Sequence, residues 1–204
     1  MPRRASLRGL CIRSKRRRLK IISDERAYKE YLNGNQKAAD LLVERYGDSL
    51  TLYINGYIRD VHEAEDLMIE AFARIFAKER PIDGEGSFKA YLYKTARNLS
   101  LRHMQKLPLP LLWTDETDFE PADDTLAESG LLKKEQVQAF HEGFEKLKAD
   151  YREALYLIYF EDMSYKNAAR VMKKSEKQFA NLVARGKKSL KTILEREGFV
   201  YADE

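Results

Sequence analysis

"MSYKNAARVMKKSEKQFANLVARGKKSL", Met163 to Leu190, decides the architecture. Apolar residues three and four apart predict a short helix, a polar break at Lys173 to Ser175, and a longer second helix. Ser175 and Gln178 have the spacing of a capping box, in which each side chain satisfies a backbone N–H that the helix start leaves free. Ala168, Ala169, Met172, Phe179, Leu182 and Val183 supply small and apolar groups where two crossing helices must touch, as a helix-turn-helix requires. The second helix would then present Lys177, Gln178, Asn181 and Arg185 outward, with Lys187 and Lys188 further along. Amides of this kind pair with base edges in a major groove, and cations with phosphates. Spacing alone leaves open an ordinary helical hairpin with a lysine-rich rim.

Helical spacing extends downstream of Leu131 to about Glu197, with breaks near Asp150, Asp162 and Lys173. Upstream the pattern stops. "LPLPLLWTDETDFEPADDTLAESG", Leu107 to Gly130, holds three of the five prolines and seven acidic residues without a lysine or arginine, the composition of an extended linker. Helical spacing returns between Asp24 and Lys106, with helices expected near 24–33, 36–58, 62–79 and 87–105. The first twenty residues carry nine basic side chains and no acidic one, as a disordered, polyanion-binding arm would. The formal net charge of +4 is thus the balance of a basic tail against an acidic linker, and a nucleic-acid argument must rest on local faces. The expected fold is all-α. A basic disordered tail (1–23) precedes two small helical domains, 24–106 and 131–204, joined by an extended acidic linker (107–130), and the second domain contains the helix-turn-helix. The single cysteine, Cys11, excludes an intramolecular disulfide, and no apolar run is long enough for membrane insertion, so a cytoplasmic location is expected.

Two stretches of the first domain carry further chemistry. In "HEAEDLMIEAFARIF", His62 to Phe76, the apolar stripe Ala64, Leu67, Met68, Ala71, Phe72, Ile75 and Phe76 would face inward, with Asp60 and Glu63 as a capping box. Glu63, Glu65, Asp66 and Glu70 are left on the outer faces. A metal-dependent hydrolase would use His62, Glu63, Asp66 and Glu70, but the second histidine of a zinc-protease helix is missing, so no metal or other cofactor is expected. A solvated acidic face is the plainer alternative. "SFKAYLYKTARNLSLRHMQK", Ser87 to Lys106, has Phe88, Leu92, Thr95 and Leu99 as its inner stripe and Tyr91, Lys94, Asn98 and Arg102 together on another face. Aromatic, amide and cationic groups on one face suit unpaired nucleic acid, whose bases stack and whose phosphates attract cations. "ERPIDGEGS", Glu79 to Ser87, is a shaped loop beside it that could hold an extruded base.

Taken in order, "AEDLMIEAFARIF", "SFKAYLYKTARNL" and the Met163 to Leu190 stretch resemble conserved regions 2.2, 2.3 and 4.2 of the extracytoplasmic-function (ECF) sigma factors of bacterial RNA polymerase, a likeness covering about Asp24 to Glu197. The resemblance implies a factor that binds core RNA polymerase and promoter DNA, both duplex and melted, and that leaves catalysis to the polymerase. Glu65, Asp66 and Glu70 would dock on polymerase. Tyr91, Lys94, Asn98 and Arg102 would capture the melted minus-ten element, and Lys177, Gln178, Asn181, Arg185, Lys187 and Lys188 would read the duplex minus-thirty-five element. An anti-sigma factor is a further candidate partner. A helix-turn-helix regulator acting without core polymerase is the alternative, and would have no need of the acidic docking face. Three positions depart from the family pattern: Ile69 stands where Gln is usual, Lys173 and Lys174 replace a Gly and an apolar residue in the turn, and "ANLVARG", Ala180 to Gly186, replaces a more basic run.

Overall fold

Ser23 opens the first helix. Its Oγ accepts from the Arg26 N–H at 3.3 Å, and α1 follows over Asp24–Leu32. The structure, a computed structural model, describes residues 22–82, 87–106 and 140–196. Three more helices complete the first group: α2 (Gln36–Ile58), α3 (Val61–Phe76) and α4 (Ser87–Lys106). Their inner stripes meet in a core of Ala27, Tyr28, Leu42, Leu50, Ile54, Ala64, Ala71, Ile75, Phe88, Leu92 and Tyr93, all 2% exposed or less. Each large apolar side chain taken from water here contributes roughly 1.5–3 kcal/mol. Asp24 binds the Arg45 guanidinium and the Tyr46 hydroxyl, which ties the start of α1 to the middle of α2. The hydroxyls of Tyr28 and Tyr31 donate to the Ile75 and Phe76 carbonyls at 3.2 and 3.4 Å, so α1 adds a second donor to acceptors that the Lys78 and Glu79 N–H groups already reach, and ties itself to the end of α3. Burial raises the Tyr28 hydroxyl above its ordinary pKa, which keeps it a donor.

The second group begins with a helical stretch over 140–145 and continues through α5 (Ala149–Tyr159), α6 (Tyr165–Met172) and α7 (Glu176–Arg196). Ser164 caps α6, its Oγ accepting from the Asn167 N–H at 3.3 Å. Ala168, Ala169 and Met172 are buried against Phe179 and Val183 of α7. The turn between α6 and α7 keeps its tight geometry without glycine: Lys173 adopts the left-handed conformation, φ 55° and ψ 41°, and its N–H bonds the Ala169 carbonyl. Gly186 marks the close approach of α7 to α5, where an added Cβ would lie 3.3 Å from Leu155 Cγ and 3.3 Å from Tyr151 Cβ. Arg152, 9% exposed, holds the end of the 140–145 stretch through the Glu145 carbonyl at 3.1 Å and its carboxylate at 2.5 Å.

These helices sort into two compact units, one containing α1–α4 and the other running from 140 to 196. The all-α expectation, with a helix-turn-helix in the second unit, agrees with the observed architecture, and no strand occurs among the described residues. The expected tail (1–23) falls almost wholly, and the expected linker (107–130) entirely, outside the described residues. Three local expectations need correction. The helix expected to reach residue 79 ends at Phe76, because Ala77 and Lys78 form a turn, Glu79 takes φ 46°, and Pro81 follows. Thr95 is not part of the inner stripe of α4; it is half-buried and donates to the Tyr91 carbonyl at 2.9 Å, while Tyr93 and Ala96 fill the core. The break expected around Asp150 lies at 146–148, and Asp150 sits in the first turn of α5.

Candidate nucleic-acid interface

The acidic face is built on α3. Asp60 caps the helix, its Oδ1 accepting from the His62 N–H at 2.9 Å and the Glu63 N–H at 3.1 Å. Glu63 does not close the capping box; its carboxylate lies 3.7 Å from His103 Nε2 on α4. Glu65 and Asp66 are exposed, with Glu65 Oε2 4.0 Å from His62 Nδ1. Glu70 differs from both. Its Oε1 accepts from Arg74 Nε at 3.0 Å and Nη2 at 2.5 Å, so its charge is already met within the helix. Ile69 is 60% exposed between these carboxylates, an apolar group with no core role. Among the described residues no group of three or more His, Cys, Asp or Glu side chains is placed to hold a metal ion.

On α4, Tyr91, Lys94 and Asn98 are half-buried and Arg102 is exposed, one helical face as the spacing predicts. Thr95, bonded back to the Tyr91 carbonyl, stands beside Tyr91 and Asn98. Sequence reasoning missed Lys78, from the turn after α3. Its ammonium lies 4.9 Å from the Tyr91 ring centroid and donates to the Tyr91 hydroxyl. Only the three-dimensional return of α4 onto that turn brings the two together. The loop expected to hold an extruded base includes residues 83–86, which lie outside those described.

On α7, Lys177, Gln178, Asn181, Arg185 and Lys188 are all exposed and share the face opposite the buried residues Phe179, Val183, Gly186 and Leu190. The Ser175/Gln178 capping box is complete: Gln178 Oε1 accepts from the Ser175 N–H at 2.9 Å, and Ser175 Oγ accepts from the Gln178 N–H at 3.2 Å. The same bond takes one of the two lone pairs of the carbonyl that a bidentate pair with adenine would use, and holds the amide toward the cap. Lys187 departs from the group as well. Its ammonium lies 5.3 Å from the centroid of the Tyr159 ring, on the side of α7 that packs toward α5. It also lines a shallow apolar depression with Phe140, Phe144, Leu155, Phe160 and Leu190. Lys177, Gln178, Asn181, Arg185 and Lys188 thus share one exposed face, and Lys187, also exposed, stands beside Tyr159 at its edge.

Two family models match the chain: Sigma-70 region 2 over residues 42–107 and Sigma-70, region 4 over residues 138–190. The RNA polymerase sigma-H factor of Pseudomonas aeruginosa is 28% identical over 158 residues, covering 73% of this chain and 82% of its own. The ECF RNA polymerase sigma factor SigM of Bacillus subtilis is 27% identical over 160 residues, covering 77% of this chain and 95% of its own. Among solved structures, CnrH in complex with the cytosolic domain of CnrY superposes with a TM-score of 0.60 at 20% identity, over 85% of this chain and 97% of that one. RpoE of Bartonella quintana, solved with the anti-sigma factor NepR, gives 0.59 at 21% identity, over 76% and 96%. Both show the same helical fold.

Proposed function

The chain belongs to the sigma-70 family as an ECF sigma factor, and from that premise we propose how its surfaces divide the work of starting transcription. As a sigma factor it binds core RNA polymerase and directs promoter recognition, melting and initiation. The observation that carries this function is the pairing of a region 2 match with a region 4 match, each on its own compact helical unit.

Within that function, Glu65 and Asp66 on α3 meet basic groups on polymerase, with Ile69 adding an apolar contact and Glu70 acting through its pair with Arg74. The α4 face of Tyr91, Lys94, Asn98 and Arg102 takes the melted minus-ten strand, rings against bases and cations against phosphates. The α7 face of Lys177, Asn181, Arg185 and Lys188 enters the duplex at the minus-thirty-five element, with Asn181 near enough to the helix start to reach a base edge. Lys187 rests beside Tyr159 at the edge of this face and is exposed, a lesser phosphate contact than the others. All bond-making belongs to polymerase, and the place of action is the cytoplasm, where polymerase works. Because RpoE was solved with an anti-sigma factor, a protein of that kind is a partner to test here. The direct experiment combines the chain with core polymerase on genomic DNA fragments. Discrete promoter-dependent transcripts are expected, and their absence with active core would overturn the assignment.

A further inference from the structure

Lys78 is exposed on the turn after α3, yet its ammonium is held by one aromatic side chain, 4.9 Å from the Tyr91 ring centroid and bonded to the Tyr91 hydroxyl. The turn that carries it is fixed from two directions. The Lys78 N–H bonds the Ile75 carbonyl at 3.2 Å, and the α1 hydroxyls of Tyr28 and Tyr31 bond the Ile75 and Phe76 carbonyls. Lys78 therefore stands at a set place beside Tyr91. No ion pair among the described residues ties it to a carboxylate, and within them its ammonium contacts the ring and hydroxyl of Tyr91. An ammonium at the hydroxyl rim of a half-buried surface ring is in a weak contact that a better ligand replaces. A nucleotide of an unpaired strand offers that ligand twice over: its base takes the face of the ring, and its phosphate takes the ammonium.

We propose that Lys78 is a strand-binding residue, leaving the Tyr91 ring to hold the phosphate of the nucleotide whose base stacks there. The inference rests on the α4 face binding the melted strand, as proposed above, and assigns Lys78 and Tyr91 to one nucleotide as a unit.

The test uses holoenzyme and a fluorescently labelled single strand, the non-template strand of a promoter that this holoenzyme transcribes, titrated across a salt series. K78A is expected to weaken binding and to reduce the slope of log affinity against log salt by about 0.7, the share of one phosphate on a single strand. K78R should keep most of that slope. The effects of K78A and Y91A should fall short of additive when combined, because both act on one nucleotide. K78A lies beyond the end of α3 on an exposed side chain, so its melting temperature should match that of the parent chain. Wild-type affinity and slope in K78A, alongside weakened binding in Y91A and N98A, would overturn the role of Lys78 and leave the α4 assignment standing. Unchanged binding in K78A, Y91A and N98A alike would overturn both.

Discussion

Asp66 and Glu70 sit one turn apart on α3, but only one of them has a free charge to offer. Glu70 is clasped by Arg74 at 2.5 and 3.0 Å, whereas no ion pair among the described residues involves Asp66. Reversing Asp66 with Arg should therefore weaken core polymerase binding by about 1 kcal/mol at moderate salt, the scale of an exposed charge contact, and the loss should shrink as salt rises. Neutralising Glu70 as Gln should change affinity less, since it also frees Arg74. A competition titration of core polymerase across a salt series measures both, and equal effects at the two positions would contradict this division. Gln178 and Asn181 differ in a similar way. Gln178 is bound into the cap of α7, so Gln178→Ala should lower stability by about 0.3–1.5 kcal/mol in thermal melts while leaving the selected minus-thirty-five sequence nearly intact. Asn181 is exposed, and Asn181→Ala should do the converse, shifting the preferred sequence by about 1–3 kcal/mol per lost base contact with no change in melting. Binding-site selection with holoenzyme distinguishes the two, and a shift in preference with Gln178→Ala would restore it as a reader of bases.

The turn between α6 and α7 shows what the sequence could and could not say about an element. Its place was legible, because polar residues interrupt two apolar stripes at Lys173 to Ser175. Its conformation was not, because nothing in the pattern reveals that Lys173 is the residue with φ 55°. A side chain in that region costs about 1–2 kcal/mol relative to the right-handed helix, and glycine avoids the clash. Lys173→Gly should thus stabilise the chain by up to about 1 kcal/mol in denaturant unfolding, and a loss of stability would show that the lysine side chain makes a compensating contact. The helices themselves were readable for a simple reason: a stripe such as Ala64, Leu67, Ala71 and Ile75 repeats at the helical period, and burial follows the stripe. Rotation within a helix was less readable. Lys187 and Lys188 are neighbours in sequence but about 100° apart around α7, enough to turn one onto Tyr159 and leave the other facing out. Side-chain partners from another element were not readable at all, which is why Lys78 beside Tyr91 and Glu63 beside His103 emerge only from the fold. The burial of a titratable group, likewise a matter of the fold, has a pH consequence. Burial lowers the pKa of His141 from its ordinary 6.5, with Glu145 opposing the shift. The folded state thus binds this proton less readily than the unfolded one, so the contribution of His141 is present above pH 6.5 and is lost as pH falls below it. His141→Gln should flatten the fall in melting temperature on acidification from neutral pH, and an unchanged profile would assign that fall to other groups.

At the scale of the whole molecule, the charge on α7 decides how the promoter is reached. The outward face offers three cations, Lys177, Arg185 and Lys188, once Lys187 is assigned to Tyr159. Each phosphate neutralised on duplex DNA contributes about 0.9 to the salt slope, so a face with so few cations supports only weak binding by itself at physiological salt, near the roughly 10⁻⁴–10⁻⁶ M of non-specific association. Docking on polymerase through α3, as proposed, would change the problem. A second contact on a tethered body forms at a high effective concentration, and a weak but selective face then suffices to choose a sequence. The free chain should accordingly bind promoter duplex weakly and with little preference, whereas holoenzyme should select a defined minus-thirty-five sequence. Lys188→Ala should weaken the holoenzyme on every sequence alike and lower its salt slope by about 0.9, while Lys187→Ala should lower that slope by less. Asp66→Arg, although remote in sequence from α7, should reduce duplex selection by loosening the hold on polymerase, and saturating core enzyme should restore it. The same measurements separate this arrangement from a regulator that works without polymerase. Tight, sequence-selective binding by the free chain, insensitive to Asp66→Arg, would show that α7 needs no help from α3 and would sink the coupling between the two faces.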